Sequence, residues 1–221
     1  CIRDSNGVVE EGVTQTGQEV TAVVAENFLE GTTTCCVMCR QCGAELFPVD
    51  VGMVTDTKVR TDLKVAYGTR NMTREPAMTR DQAIRGIEAG IAMAEELKEK
   101  GYQVLATGEM GIGNTTTSSA VAAVLLGKPV EDMTGRGAGL NDAGLLRKQQ
   151  VIAQALEKYE KEIRSEHALS MLAAFGGLDI AGMAGVCIGG ALYHVPVVLD
   201  GLISSVAALV AAVSYTHLRA H

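Results

Sequence analysis

The residues with the clearest chemical potential stand at Gly108-Glu109-Met110-Gly111-Ile112-Gly113-Asn114-Thr115-Thr116, a strand-like run opening through glycines into a helix. Glycines let a backbone come close to a ligand, and the unpaired N–H groups of a new helix face any anion there. Thr115 and Thr116 add hydroxyl donors. A tight, well-capped turn would read the same way, so the anion reading needs a second signal. Glu109 supplies one, because a carboxylate at the end of a buried strand is costly unless something uses it. A ribose hydroxyl, or positive charge developing on a sugar, would be such a partner.

A second glycine loop, Gly135-Arg136-Gly137-Ala138-Gly139, precedes a helix whose inner stripe reads Leu145, Ile152, Leu156, Tyr159 and Ile163. Lys148 falls inside that stripe. It is either a snorkelling side chain or a cation aimed at a phosphate over the sheet end. Lys148 with Gly111, Gly113, Asn114, Thr115, Thr116, Gly135, Arg136 and Gly137 would form a compact monophosphate site. Asp179 and Asp200 each follow strand-like runs and either line that site or cap helices. The first loop is not a Walker A motif, since no Gly-Lys-Ser/Thr ends it, and it lacks the dinucleotide spacing G-x-G-x-x-G.

Cys36-x-x-Cys39-x-x-Cys42 has iron–sulfur spacing. On a helix these positions share roughly one face, where small apolar residues belong, and a fourth ligand is missing nearby; core packing is the stronger reading. His167 and His194 have no evident partner and read as structural.

These side chains need a scaffold, and the chain alternates strand-like with helix-like segments. Helices are expected at Val20–Leu29, at Thr33–Cys42 before Gly43, from the capping box Thr79–Gln82 to Gly101, from Asn114 to Leu126, from Asn141 or Asp142 to about Ile163, and from about Ser204. The helix after Gln82 places Ile84, Ile87, Ile91, Ala94 and Leu97 on one face. Strands are expected at Ala44–Met53, Gln103–Thr107, Ser170–Phe175 and Val195–Leu199, with an apolar helix after Gly176-Gly177. Thr55–Met78 shows no sustained period and reads as a long functional loop. The alternation implies an α/β fold: a doubly wound, mostly parallel sheet with helices on both faces and part of a smaller helical subdomain. Ligands then sit beyond the carboxyl ends of the strands.

Composition narrows the partners. The 221 residues are 47% hydrophobic and 20% charged, with net charge −7, no Trp and 25 Gly. Acidic balance and few aromatics argue against nucleic acid. The apolar runs 180–193 and 195–213 are broken by Asp179, His194 and Asp200, too short for a membrane span. A polar start and six Cys without a secretory pattern read as reduced thiols in the cytoplasm.

Six motifs in order, namely Gly7-Val8-Val9-Glu10-Glu11-Gly12-Val13, Val49-Asp50-Val51-Gly52-Met53, the two glycine loops, Gly176-Gly177-Leu178-Asp179-Ile180-Ala181-Gly182-Met183, and Leu199-Asp200-Gly201-Leu202-Ile203-Ser204, resemble the nicotinate-nucleotide–dimethylbenzimidazole phosphoribosyltransferase family over about residues 6–212. The resemblance implies a homodimer that moves phosphoribose from nicotinate mononucleotide to 5,6-dimethylbenzimidazole, giving nicotinate and α-ribazole 5′-phosphate with inversion, and no metal or organic cofactor. By motif match Glu109 faces the ribose, Lys148 and the two loops hold the phosphate, and Thr14–Thr21, including Thr16, borders the benzimidazole. The family's general base is a glutamate of a later Gly-rich motif that the chain stops short of. Residues 1–5 and 213–221 do not match the family and are expected outside the domain, as a non-native leader and tail. A non-catalytic phosphate- or nucleotide-binding module is the competing reading; a carboxylate able to act as base near the bound ring discriminates the two.

Overall fold

The computed structural model describes residues 1–161 and 167–219. Strand β1 (Ile2–Asp4) lies between β2 (Val49–Gly52) and β4 (Glu109–Met110), while β3 (Leu105–Ala106) pairs with β5 (Val197–Val198). Every one of these pairings is parallel. The two ladders are joined through Thr107-Gly108, where Thr107 N–H donates to Val198 O at 3.1 Å and the Gly108 carbonyl accepts from Ile2 N–H at 2.8 Å. One segment, 105–110, thus serves both sides of the sheet.

Helices cover the two faces. α1 (Glu19–Leu29) and α2 (Thr34–Cys42) come first, and α3 (Arg80–Glu99), α4 (Asn114–Leu126), α5 (Val130–Met133) and α6 (Asp142–Lys158) follow. Next are α7 (Ala168–Phe175), α8 (Leu178–Leu192) and α9 (Leu202–Arg219). Neighbouring residues on a strand point to opposite faces. Ile2 accordingly packs under Gly182 of α8, and the Arg3 guanidinium stacks 4.0 Å from the Phe28 ring centroid of α1. Arg3 is fully buried with no hydrogen-bond partner; the ring face and the charge of Glu109 are what the cation has.

Local signals set the helix limits. Thr79 accepts from Gln82 N–H while Gln82 closes the box on Thr79 N–H. The Thr33 hydroxyl caps α2, which ends on Gly43 at φ 67°. Asn141 caps α6 by accepting from Gly144 N–H. Between β2 and α3 the chain from 53 to 79 forms neither helix nor strand apart from a bridge of Arg60 to Val49, as expected of a long loop.

Two expectations are corrected. Ser170–Phe175 is not a strand but most of α7: its alanines and Leu172 pack all round against α3, α4 and α9, and a short buried apolar run does not declare its own period. The innermost face of α3 is Ala83, Gly86, Ala89, Gly90, Met93 and Ala94, with Ile84, Ile87 and Ile91 only half-buried. Small residues are needed there because α8 lies against α3 backbone to backbone. A Cβ at Gly90 would collide with Gly182 O, and one at Gly185 with Ile87 O. Ile2–Asp4 forms the central strand of the three-stranded sheet. The last helix runs from Leu202 to Arg219. The portion of α6 expected near Ile163 lies outside the described residues.

In an ordinary helix Gly→Ala gains about 1 kcal/mol from propensity. At Gly90 and Gly185 the sign reverses. Urea denaturation should show Gly185→Ala destabilised by about 1–3 kcal/mol, whereas Gly201→Ala, where nothing lies within 4 Å of an added Cβ, stays within about 0.5 kcal/mol.

Candidate active site

The carboxyl ends of the strands meet at two linked clusters, joined by consecutive residues at the start of α4. Gly113, at φ 95°, turns the chain from β4 into that helix. A Cβ at Gly111 would stand 3.0 Å from both Asp179 Oδ2 and Asp4 O, and one at Gly177 would strike Asp179 Oδ1. Glycine at both positions is what lets an aspartate enter.

The first cluster is acidic. The Asn114 side-chain nitrogen donates to Glu109 Oε2 and, at 2.9 Å, to Asp179 Oδ2. Asp179 Oδ1 accepts from Ile180 N–H at 2.8 Å, and Asp4 accepts from Leu178 N–H at 2.7 Å. Burial, then the neighbouring Asp179, pushes the Asp4 carboxyl well above the usual range. Burial likewise raises Asp179, against the pull of Asn114 and Ile180 N–H. Glu109 rises to about 7, first from desolvation and next from Asp179, while Asn114 and Arg3 oppose the shift.

The second cluster is basic. Lys148 is 1% exposed, and its Nζ donates to Thr115 Oγ1 at 2.8 Å and to Gly135 O at 3.1 Å. Gly137, at φ 57°, lies over them: a Cβ there would stand 2.9 Å from Thr115 Oγ1 and 3.5 Å from Nζ. Burial alone lowers the Lys148 pKa to about 8. The amine has two neutral acceptors and a helix N-terminus nearby, a setting that a bound anion would complete.

The remaining expected residues fall into place less directly. Thr116 is buried, and its hydroxyl faces inward without a partner, so Thr115 alone of the pair serves the cluster. Arg136 folds back on its own loop, donating to Leu140 O and pairing with Asp142. Asp200 is exposed, its N–H donates to Ser204 Oγ at 2.9 Å, and its charge reaches Glu109. Thr16 is exposed in a segment tied to the second glycine loop by Gln15 Nε2 donating to Gly139 O at 2.7 Å.

Sequence reasoning passed over the residues that join these parts. Asn6 is buried; its Nδ2 donates to Ile112 O at 3.4 Å, its Oδ1 accepts from Thr117 and its carbonyl from Gln18 Nε2 at 2.8 Å. Thr21 accepts from Ile112 N–H at 3.3 Å. The only signal was Gln18 and Thr21 three apart on the first turn of a helix. Of the cysteines only Cys36 is buried, with Cys35 and Cys42 exposed, so the shared core face expected for Cys36, Cys39 and Cys42 does not form. Among the described residues no three His, Cys, Asp or Glu side chains are placed to hold a metal, and no helix is long and apolar enough to cross a membrane. An apolar recess of about 400 Å³ beside His194 and Pro196 lies apart from both clusters and offers no cation.

The start of α4 thus holds Glu109 through Asn114 and the buried amine of Lys148 through Thr115. A family model described as "Phosphoribosyltransferase" matches residues 4–221. Curated relatives named nicotinate-nucleotide–dimethylbenzimidazole phosphoribosyltransferase include those of Clostridium acetobutylicum, 44% identical over 208 residues, and Chloroflexus aggregans, 47% over 210. These alignments take in 93% and 94% of this chain, and 58% and 59% of the relatives. The crystal structure of CobT from Thermus thermophilus superposes with a TM-score of 0.91 at 36% identity, covering 100% of this chain and 66% of that one. The chain belongs to the nicotinate-nucleotide–dimethylbenzimidazole phosphoribosyltransferase family. It spans somewhat under three-fifths of the length of those curated relatives.

The two clusters carry opposite pH signatures. Glu109 binds its proton more tightly folded than unfolded, so its ionisation removes stability as pH rises from the ordinary glutamate range through about 7. Lys148 releases its proton at about 8 when folded, so the cost of its buried charge is full below 8 and fades towards 10.5. Relative to wild type, Glu109→Gln should therefore gain stability between pH 4.5 and 7. Lys148→Met should be at its relative best below 8 and lose ground above it. Urea melts across pH check both, with differences of about 0.5–3 kcal/mol expected.

Proposed function

We propose that this chain carries the nucleotide-binding part of an enzyme that transfers phosphoribose from nicotinate mononucleotide to 5,6-dimethylbenzimidazole, yielding α-ribazole 5′-phosphate and nicotinate. The observation that carries the reading is the buried Lys148 amine under Gly137, held by Thr115 one residue along α4 from the amide that holds Glu109. A 5′-phosphate seated on the Lys148 amine and the Thr115 hydroxyl would direct its ribose towards Glu109. The relatives' names supply the two bases.

Nicotinate bound to ribose has a cationic ring nitrogen and leaves readily, so the protein's work is placement and charge. Burial holds Glu109 near 7. A cationic substrate beside it favours the ionised form, which then faces the positive charge that develops on the sugar as the bond to nicotinate breaks. The benzimidazole nitrogen attacks from the opposite side and inverts the anomeric carbon. Its pocket is assigned to the Thr14–Thr21 segment, with Thr16 at its rim. Thr115, Gly135 and Gly137 are assigned to the phosphate. Asp200 borders the sugar. The reading extends to a homodimer at work in the cytoplasm.

Isothermal titration with nicotinate mononucleotide is the test. Lys148→Ala should weaken binding about 10- to 100-fold, the loss of one charge-assisted contact of about 1.5–3 kcal/mol. Wild-type affinity should fall as pH rises through 8, where the free lysine loses its proton, and the variant should show no such fall. Binding unaffected by Lys148→Ala contradicts the phosphate assignment. Nicotinate release on adding dimethylbenzimidazole separates a transferase from a module that only binds.

A further inference from the structure

Asp179 stands among the expected substrate contacts, yet it is 0% exposed and sits behind Asn114, which is 5% exposed. No open surface reaches it. What it touches is instead the amide that touches Glu109. An amide NH2 has two hydrogens, and in Asn114 the nitrogen is directed at one oxygen of Glu109 and one of Asp179. The nitrogen end of the amide faces these two acceptor oxygens, and its oxygen end is turned away from them.

We propose that Asp179 is a positioning residue: it fixes the orientation of the Asn114 amide, and through it holds the Glu109 carboxylate against the place of the sugar. The catalytic meaning of this role rests on the function proposed above, while the linkage itself does not.

The two oxygens of Asp179 divide the labour. Oδ1 accepts from Ile180 N–H in the first turn of α8, which ties the side chain to that helix. Oδ2, at 2.9 Å, is left for Asn114. Asn114 is the first residue of α4, and its own N–H donates to Gly111 O at 3.1 Å. The line Asp179–Asn114–Glu109 therefore connects the start of α8, the start of α4 and the first residue of β4, three elements that nothing in the local sequence forces into register. The glycines at 111 and 177 make room for it, since a Cβ at either would meet an Asp179 oxygen. Asn114, with both donors spent on Glu109 and Asp179, keeps only its Oδ1 for a ligand, as an acceptor.

A plain helix cap would serve α8 and leave Glu109 alone, and the experiment separates the two. The amide NH2 resonances of Asn114 and the carboxyl resonance of Glu109 are followed by NMR in wild type, Asp179→Asn and Asp179→Leu, with no need for turnover. In Asp179→Leu the Asn114 pair should shift and exchange faster with solvent. The Glu109 titration should move below its wild-type midpoint, because after burial Asp179 is the largest influence raising it; Arg3, which lowers it, and Asp200, which also raises it, are untouched. Asp179→Asn keeps an acceptor and should hold the amide more nearly in place, while still moving Glu109 as the charge is lost. Turnover, measured as nicotinate release, should drop about 100-fold in kcat for Asp179→Leu with KM little changed, as a misplacement of about 1 Å would give. Asp179→Asn should recover part of that loss.

Asn114 and Glu109 resonances that stay put in a folded Asp179→Leu chain overturn the inference. Should that variant fail to fold, an unmoved Asn114 pair and Glu109 midpoint in Asp179→Asn overturn it equally. Wild-type protein that shows the linkage but neither binds nicotinate mononucleotide nor releases nicotinate leaves the positioning role standing and removes the proposed substrate instead.

Discussion

A carboxylate taken out of water must be given donors or a proton, and this site is built around that requirement. Asp4, Asp179 and Glu109 gather at the carboxyl ends of the strands, with too few cations to neutralise them. The demand is met by backbone N–H groups at the start of α8, by the single amide of Asn114, and by carboxyl pKa values displaced upward. From this follow the glycines at 111 and 177, which clear the space, and the left-handed turn at Gly113, which aims α4. Thr115, the next residue along, then turns its hydroxyl to Lys148.

The opposite charge is handled by the same logic on the other side of α4. Burial weakens the proton affinity of Lys148, and its neutral neighbours satisfy hydrogen bonds without cancelling the charge. Buried acids that resist ionising and a buried amine that resists protonation are both unfavourable for stability alone. They become favourable together when a ligand brings an anion to one end and a developing cation to the other. The two ends hang from consecutive residues, Asn114 and Thr115, so the spacing between the proposed phosphate and sugar contacts is set by α4 rather than by loop conformation.

Much of this was legible before the fold was known. Lys148 interrupts an apolar stripe, and Glu109 ends a strand among glycines; each is a local contradiction that only a partner resolves. Caps at Thr33, Thr79 and Asn141 fixed helix starts because their chemistry is local. Other features were hidden for physical reasons. Ser170–Phe175 is apolar on all sides, so its periodicity does not distinguish helix from strand. The glycine contact of α3 with α8 depends on two segments far apart in sequence, and the isoleucines drew attention away from it. Asn6, Gln18 and Thr21 act through backbone groups of Ile112 and of each other, which no side-chain pattern announces. Thr116 and Arg136 were named by motif, yet one turns inward and the other closes its own loop.

The most direct test of the two-cluster site is a crystal structure of the chain with nicotinate mononucleotide bound. The phosphate should lie within hydrogen-bond distance of Lys148 Nζ and Thr115 Oγ1, with ribose hydroxyls against Glu109 and Asp179 touching no ligand atom. A nucleotide seated elsewhere, or one whose phosphate lies away from Lys148, would contradict that arrangement.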